Sequence, residues 1–118
     1  IDPRGKWGHG ISGDIKYDIA KIRHSVVGGF DIITNGLYSA MFDKKNGITF
    51  DLYKPKNHQI VCEKLDSHIK HRWNLDEIKM IEGLLFISML PLHKDNFERQ
   101  IAFYSVGIQR LNEIFGDM

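Results

Sequence analysis

Asp2, Asp14 and Asp18 are the acids whose surroundings suit phosphate chemistry. Asp2 follows Ile1 and precedes Pro3-Arg4-Gly5. An acid that ends a buried strand and opens a loop lies at the carboxyl edge of a sheet, where ligands bind. Combined with phosphate oxygens it forms the hard-oxygen shell that magnesium prefers. Taken alone, Asp2 has a second reading, a surface acid that starts a turn with Pro3. Arg4, Lys6 and His9 share the glycine-rich stretch that follows; they suit contact with a phosphate or polyol, or solvation as loop charges. Trp7 is a stacking platform or a packing anchor for that loop. Asp14 and Asp18 stand four apart around Tyr17, which places both acids on one helical face. Asp14 fits the N-cap of a helix from about Ile15, and Asp18, one turn in, fits an acceptor for hydrogen bonds from a neighbouring loop. His24 lies inside the same helix, where it either faces the cleft or packs.

These residues need elements to position them. Ile1–Pro3 reads as the end of a strand. The helix from Ile15 has the apolar stripe Tyr17, Ile19, Ala20, Ile22, Val26 and Val27 and is broken by Gly28-Gly29. Phe30, Ile33, Leu37 and Met41 then predict a second helix over 30–42. Lys44-Lys45-Asn46-Gly47 is a turn signal. Ile48–Tyr53 alternates as a short strand, its partner either upstream of Ile1 or around Met41. Helical patterns follow from Asn57 to about His71, from Asn74 (as cap) to Pro91, and from about Asp95 to Phe115, where Gly116 stops the chain's last helix. On that last helix Phe97, Ile101, Tyr104, Ile108, Leu111 and Phe115 mark the face expected to be buried. The expected fold is mainly α, with one or two short strands at about 1–3 and 48–53, in a single domain over 1–118.

Composition removes several classes. Sixteen basic and fifteen acidic residues give a net charge of +1, which offers no electrostatic footprint for nucleic acid. Cys62 is the single cysteine, so no internal disulfide forms, and a small buried hydrophobe is the expected role. The most apolar segment, Met80–Leu92, is interrupted by Glu82 and ended by Pro91, too short to span a membrane. A cytoplasmic, membrane-free protein is the expectation. His68 and His71 share a helix face but lack the further ligands that zinc requires. No nucleophile elbow, phosphate-cradling loop or Cys-x-x-Cys pair is present.

The order Ile1-Asp2-Pro3-Arg4-Gly5, a glycine-rich loop, then Gly13-Asp14-x-x-Tyr17-Asp18-Ile19-Ala20-Lys21 resembles the aminoglycoside phosphotransferase and choline kinase family, and most of all its bacterial members linked to surface-polysaccharide or sugar metabolism. Residues 1–27 carry the resemblance. It implies the helical C-terminal subdomain of a protein-kinase-like fold, with the nucleotide-binding lobe and catalytic loop lying before Ile1. Asp2 then matches the acid that holds Mg2+ against the ATP phosphates; Asp14, Tyr17 and Asp18 match the family's structural motif; Arg4, His9 and His24 become candidate substrate or phosphate contacts. Pro3 and Arg4 depart from the family's usual aromatic residue. No catalytic residue falls within the chain itself. The implied parent transfers the ATP γ-phosphoryl group to a hydroxyl of a sugar, amino alcohol or related metabolite, and the face left by the missing lobe is expected to self-associate. The rival expectation is a noncatalytic helical interaction module, a degenerate kinase-like domain of a larger polysaccharide-biosynthesis protein.

Overall fold

The computed structural model describes residues 11–116. They form a mainly helical fold with a single antiparallel pair of strands, as the sequence predicts. The elements are α1 (Ile11–Val26), α2 (Phe30–Thr34), β1 (Tyr38–Asp43), β2 (Gly47–Leu52), α3 (His58–Lys70), α4 (Leu75–Ser88), a 3-10 turn (Leu90–His93) and α5 (Phe97–Phe115). The expected strand over 1–3 lies outside the described residues.

Local chemistry sets most boundaries. Asn74 and Asn96 each accept a hydrogen bond from the backbone N–H three residues on, at 3.1 and 3.0 Å, and so start α4 and α5. Asp76 and Glu77 follow in the first turn of α4, where acids suit the helix dipole. Gly28-Gly29 ends α1 for two distinct reasons. Gly29 has φ of 74°, a left-handed conformation. Gly28 is pressed against the buried ring of Phe86, leaving no room for a side chain.

One predicted helix is replaced. Residues 30–42 form a five-residue helix and then a strand, not one continuous helix. Gly36, with φ of 77°, breaks the turn. From Tyr38 a period of two takes over, with Tyr38 and Ala40 turned toward the protein and Ser39 and Met41 toward solvent. The hairpin closes Asp43 on Gly47, and Met41 sits opposite Thr49, so the strand's partner is the segment around Met41. Asp43 shapes the turn by accepting from the Lys45 N–H at 2.9 Å and from the Asn46 amide at 2.9 Å.

Two apolar clusters form the core. Ile33, Phe86, Ala102, Phe103 and Val106 build one under the hairpin. Ala20, Ile69 and Ile78 build the other, where α1, α3 and α4 meet. Helix α4 serves both. It runs alongside α1 in the same direction, as Lys16–Glu77 and Arg23–Glu82 show, and antiparallel to α5. Gly83 and Gly107 let α4 and α5 approach closely, since a Cβ on Gly107 would stand 3.1 Å from the Gly83 carbonyl oxygen.

The burial of α5 also corrects the sequence reading. Its inward face is Ala102, Phe103, Val106, Gly107 and Arg110. Of the stripe expected inside, Ile101 is buried, whereas Phe97, Tyr104 and Phe115 stand in solvent at 65, 43 and 62 % exposure.

Gly28→Ala tests the tight approach of α1's end to α4. Its Cβ would fall within contact distance of the Phe86 ring and 2.9 Å from the His24 carbonyl oxygen. Stability in urea is expected to drop by about 1–3 kcal/mol.

Candidate functional site

A carboxylate wholly removed from water organises the molecule's charged interior. Glu82 is 0 % exposed. It occupies the face of α4 between Ile78 and Phe86, and so the seam between the two apolar clusters. Arg23 of α1 donates through Nη1 to Glu82 Oε1. Arg110 of α5 donates through Nε to Glu82 Oε2 at 2.9 Å. Arg23 also forms a two-pronged pair with Asp66 of α3, Nε to Oδ1 at 2.8 Å and Nη2 to Oδ2 at 2.9 Å. Arg110 Nη1 reaches Glu113 at 2.6 Å, and Lys79 closes the series on Glu113 at 3.1 Å. Three acids and three bases thus alternate through four helices.

Burial disfavours the charge on Arg23, yet the hydrogen bonds and charges of Asp66 and Glu82 outweigh it and raise its pKa. Glu82 moves the other way: desolvation pushes its carboxyl upward against the pull of Arg110 and Arg23. Both of its oxygens are nevertheless taken by guanidinium N–H groups, the geometry of an ionised carboxylate, and we assign it as ionised at neutral pH.

Beside this series opens a cleft of about 460 Å³ between β2, α3 and α5. Phe50, Lys54, His58, Cys62, Asp66 and Arg110 are among its lining. His58 and Cys62 lie one turn apart on α3, Nε2 to Sγ at 3.4 Å. Burial pushes the thiol up, with Asp66 adding to the effect, while burial and Lys54 push the imidazole down. Both shifts favour the neutral forms, so the pair is a thiol beside an imidazole rather than an activated thiolate. Cys62 is half-buried and lines the cleft, and so is not the fully buried small hydrophobe expected from the sequence.

The residues singled out by sequence fall in three groups. Asp2, Arg4 and His9 lie outside the described residues. Asp14 belongs to the first turns of α1, which begins at Ile11; the backbone at Asp14 is therefore helical, and the residue does not flank the helix as an N-cap would. Tyr17 and Asp18 follow on the same helix, with Tyr17 half-buried under the Lys21 ammonium, 5.8 Å from its ring centre, and Asp18 exposed. His24, a candidate substrate or phosphate contact, is in the core instead. It is 7 % exposed, its ring centre 4.1 Å from that of Phe86 and 4.7 Å from that of Phe30. Its Nε2 has no hydrogen-bond partner. Burial, helped by Lys21, lowers its pKa to about 4. Among the described residues no group of three or more His, Cys, Asp or Glu is placed to hold a metal ion. No helix among them is long and apolar enough to cross a membrane.

Sequence reasoning missed the Glu82 series. The available signal was a single acid inside an apolar helix, four residues from Ile78 and four from Phe86. A charge in that position is buried only when paired. Comparison with protein-family models, with curated proteins and with solved structures returns no match.

Two expectations follow. Glu82→Gln keeps the shape but leaves two buried guanidiniums facing a neutral amide, so unfolding in urea is expected to show a loss of about 3–5 kcal/mol. His24 sets a pH dependence. Above pH 6.5 its ring is neutral in both folded and unfolded chains and contributes no slope. As pH falls from 6.5 toward about 4 the unfolded chain binds a proton that the folded one refuses, and about 3 kcal/mol of stability is lost across that window. Urea titrations at stepped pH are expected to show this slope in the wild type and its removal in His24→Leu.

Proposed function

We propose that the chain is the C-terminal, largely helical part of a small-molecule kinase of the aminoglycoside phosphotransferase and choline kinase type. Its parent passes the ATP γ-phosphoryl group to a hydroxyl of a sugar, amino alcohol or related metabolite, in the setting of bacterial polysaccharide or sugar metabolism. The observation that carries the proposal is the continuity of α1. The Gly13-Asp14-x-x-Tyr17-Asp18 segment and Arg23 share one uninterrupted helix, and Arg23 fixes that helix in the core through Glu82 and Asp66. Phosphoryl transfer depends on positioning and charge neutralisation rather than covalent help. A rigid helix that carries the motif residues suits that demand.

Within this proposal Asp2 holds Mg2+ together with the nucleotide phosphates, and the ion neutralises charge on the transferred group when bound. Asp14, Tyr17 and Asp18 keep the helix entry in place, and Arg4 and His9 remain the candidate contacts to phosphate or acceptor. The base and the nucleotide-binding lysine belong to the part of the parent before Ile1.

A noncatalytic interaction module is favoured by one observation, the exposed line of Phe97, Tyr104 and Phe115 along α5. Turnover separates the two. The chain extended through the upstream coding sequence of its gene is expected to release ADP from Mg-ATP in the presence of sugar or amino-alcohol acceptors. Asp2→Asn is expected to lower kcat by about a hundredfold or more, and the 118 residues alone are expected to show no turnover above a blank. An extended protein that neither binds nor turns over ATP would overturn the kinase proposal in favour of the interaction module.

A further inference from the structure

Helix α5 is apolar on two opposite sides. At 100° per residue its core face centres on Val106, while Phe97, Tyr104, Ile108 and Phe115 fall within a narrow stripe half a turn around the helix. The stripe floors a shallow trough walled by the hairpin: Phe42 and Ile48 stand over Phe97 and Tyr104, and Ile48 continues beside Ile108. A helix with apolar residues on both sides needs a partner on each. Among the described residues α4 and the hairpin supply one.

The spacing identifies what the second partner is. On the outer side Phe97, Tyr104, Ile108 and Phe115 follow at steps of seven, four and seven, the spacing of a helix that packs against another at a shallow angle, while Ile101 and Leu111 are already committed inside the chain, Leu111 against Gly83. The sequence of steps reads the same in both directions about Val106. An antiparallel copy of α5 therefore matches it: Phe97 meets Phe115, and Tyr104 meets Ile108. We propose that this face joins two copies of the chain, α5 against α5, about a two-fold axis that crosses the outer side of the helix at the level of Val106, between Tyr104 and Ile108. Such an interface is isologous, each residue pair occurring twice.

The exposed area is sufficient. Phe42, Ile48, Phe97, Tyr104 and Phe115 are all substantially exposed. At about 100 Å² each they offer roughly 500 Å² per copy, or roughly 1,000 Å² for the pair. That reaches the smallest area expected of a specific interface. The flanks do not oppose the union: Gln100, Ser105, Gln109 and Asn112 are uncharged, and Glu113, which also lines the trough, is paired with Arg110 and Lys79.

Sedimentation equilibrium on the 118-residue chain is expected to give a two-chain mass at concentrations of about 0.1 mM and above, with association weakened at least tenfold by Tyr104→Lys. Circular dichroism of that variant is expected to be unchanged, because Tyr104 is a surface residue. Register is tested separately. A mixture of Phe97→Cys and Phe115→Cys chains, each also carrying Cys62→Ser, is expected to form mixed disulfide dimers under mild oxidation, in preference to either homodimer. A one-chain mass up to about 1 mM would overturn the proposal. So would a dimer unaffected by Tyr104→Lys, or an absence of the mixed cross-link. If the upstream-extended protein is monomeric and its Tyr104→Lys variant loses stability, the trough belongs to another segment of the same chain, and the two-copy proposal also fails. None of these outcomes depends on phosphoryl transfer.

Discussion

A single carboxylate without access to water sets the terms for the whole molecule. Glu82 is neutralised by Arg23 and Arg110, and each guanidinium then needs a second acid, Asp66 or Glu113, to satisfy its remaining N–H groups. Buried ion pairs bring little net stability, because desolvation consumes most of the attraction. What they impose is discrimination. Any rotation of α1, slide of α3 or shift of α5 would strand a charge in the interior, so one arrangement of the four helices survives and its neighbours are excluded. The two apolar clusters on either side of Glu82 contribute the driving force, while the charges select which packing it produces.

Positioning of α1 follows from this constraint. Its last turn is gripped from three sides: Arg23 by charge, His24 between the rings of Phe30 and Phe86, and Gly28 against Phe86. The helix leads back toward the Tyr17 and Asp18 segment as a rigid arm. The cleft beside α3 has a different character, with a neutral thiol and a neutral imidazole beside charges already committed to one another.

Much of this fold is legible in the sequence, and the failures share a cause. Asn74, the Lys44–Gly47 turn, the Gly28-Gly29 break and the limits of α3 and α5 come from residues whose own chemistry dictates the backbone, whereas α4 ends at Ser88, short of the expected Pro91, which falls in the 3-10 turn Leu90–His93. Residues 30–42 mislead because Phe30, Ile33, Leu37 and Met41 keep a helical interval by coincidence, while Tyr38, Ala40 and Phe42 carry the strand's alternation through the same stretch. On α5 an apolar stripe of Phe97, Tyr104, Ile108 and Phe115 runs along the outer side, and the core face mixes Phe103 and Val106 with Gly107 and Arg110, residues that hydropathy ranks low. Glu82 reads as an interruption because pairing with Arg23 and Arg110 is a tertiary fact with no local signature. Of the candidate site, His24 proves to be a packing residue, and Asp2, Arg4 and His9 lie beyond the described residues.

The partners in the charged series are remote along the chain: Arg23 and Asp66 are 43 residues apart, Arg23 and Glu82 59, Glu82 and Arg110 28. Each contact closes a long loop and requires both ends to shed water together, so none is made while the helices are still finding one another. The charges dock after the apolar surfaces have met. Interactions formed that late leave the folding rate almost untouched and raise the barrier to leaving the native state. Glu82 and its two arginines therefore act as a latch whose hold shows when one member is removed: the stranded charge speeds the parting of the helices and hardly alters how fast they come together.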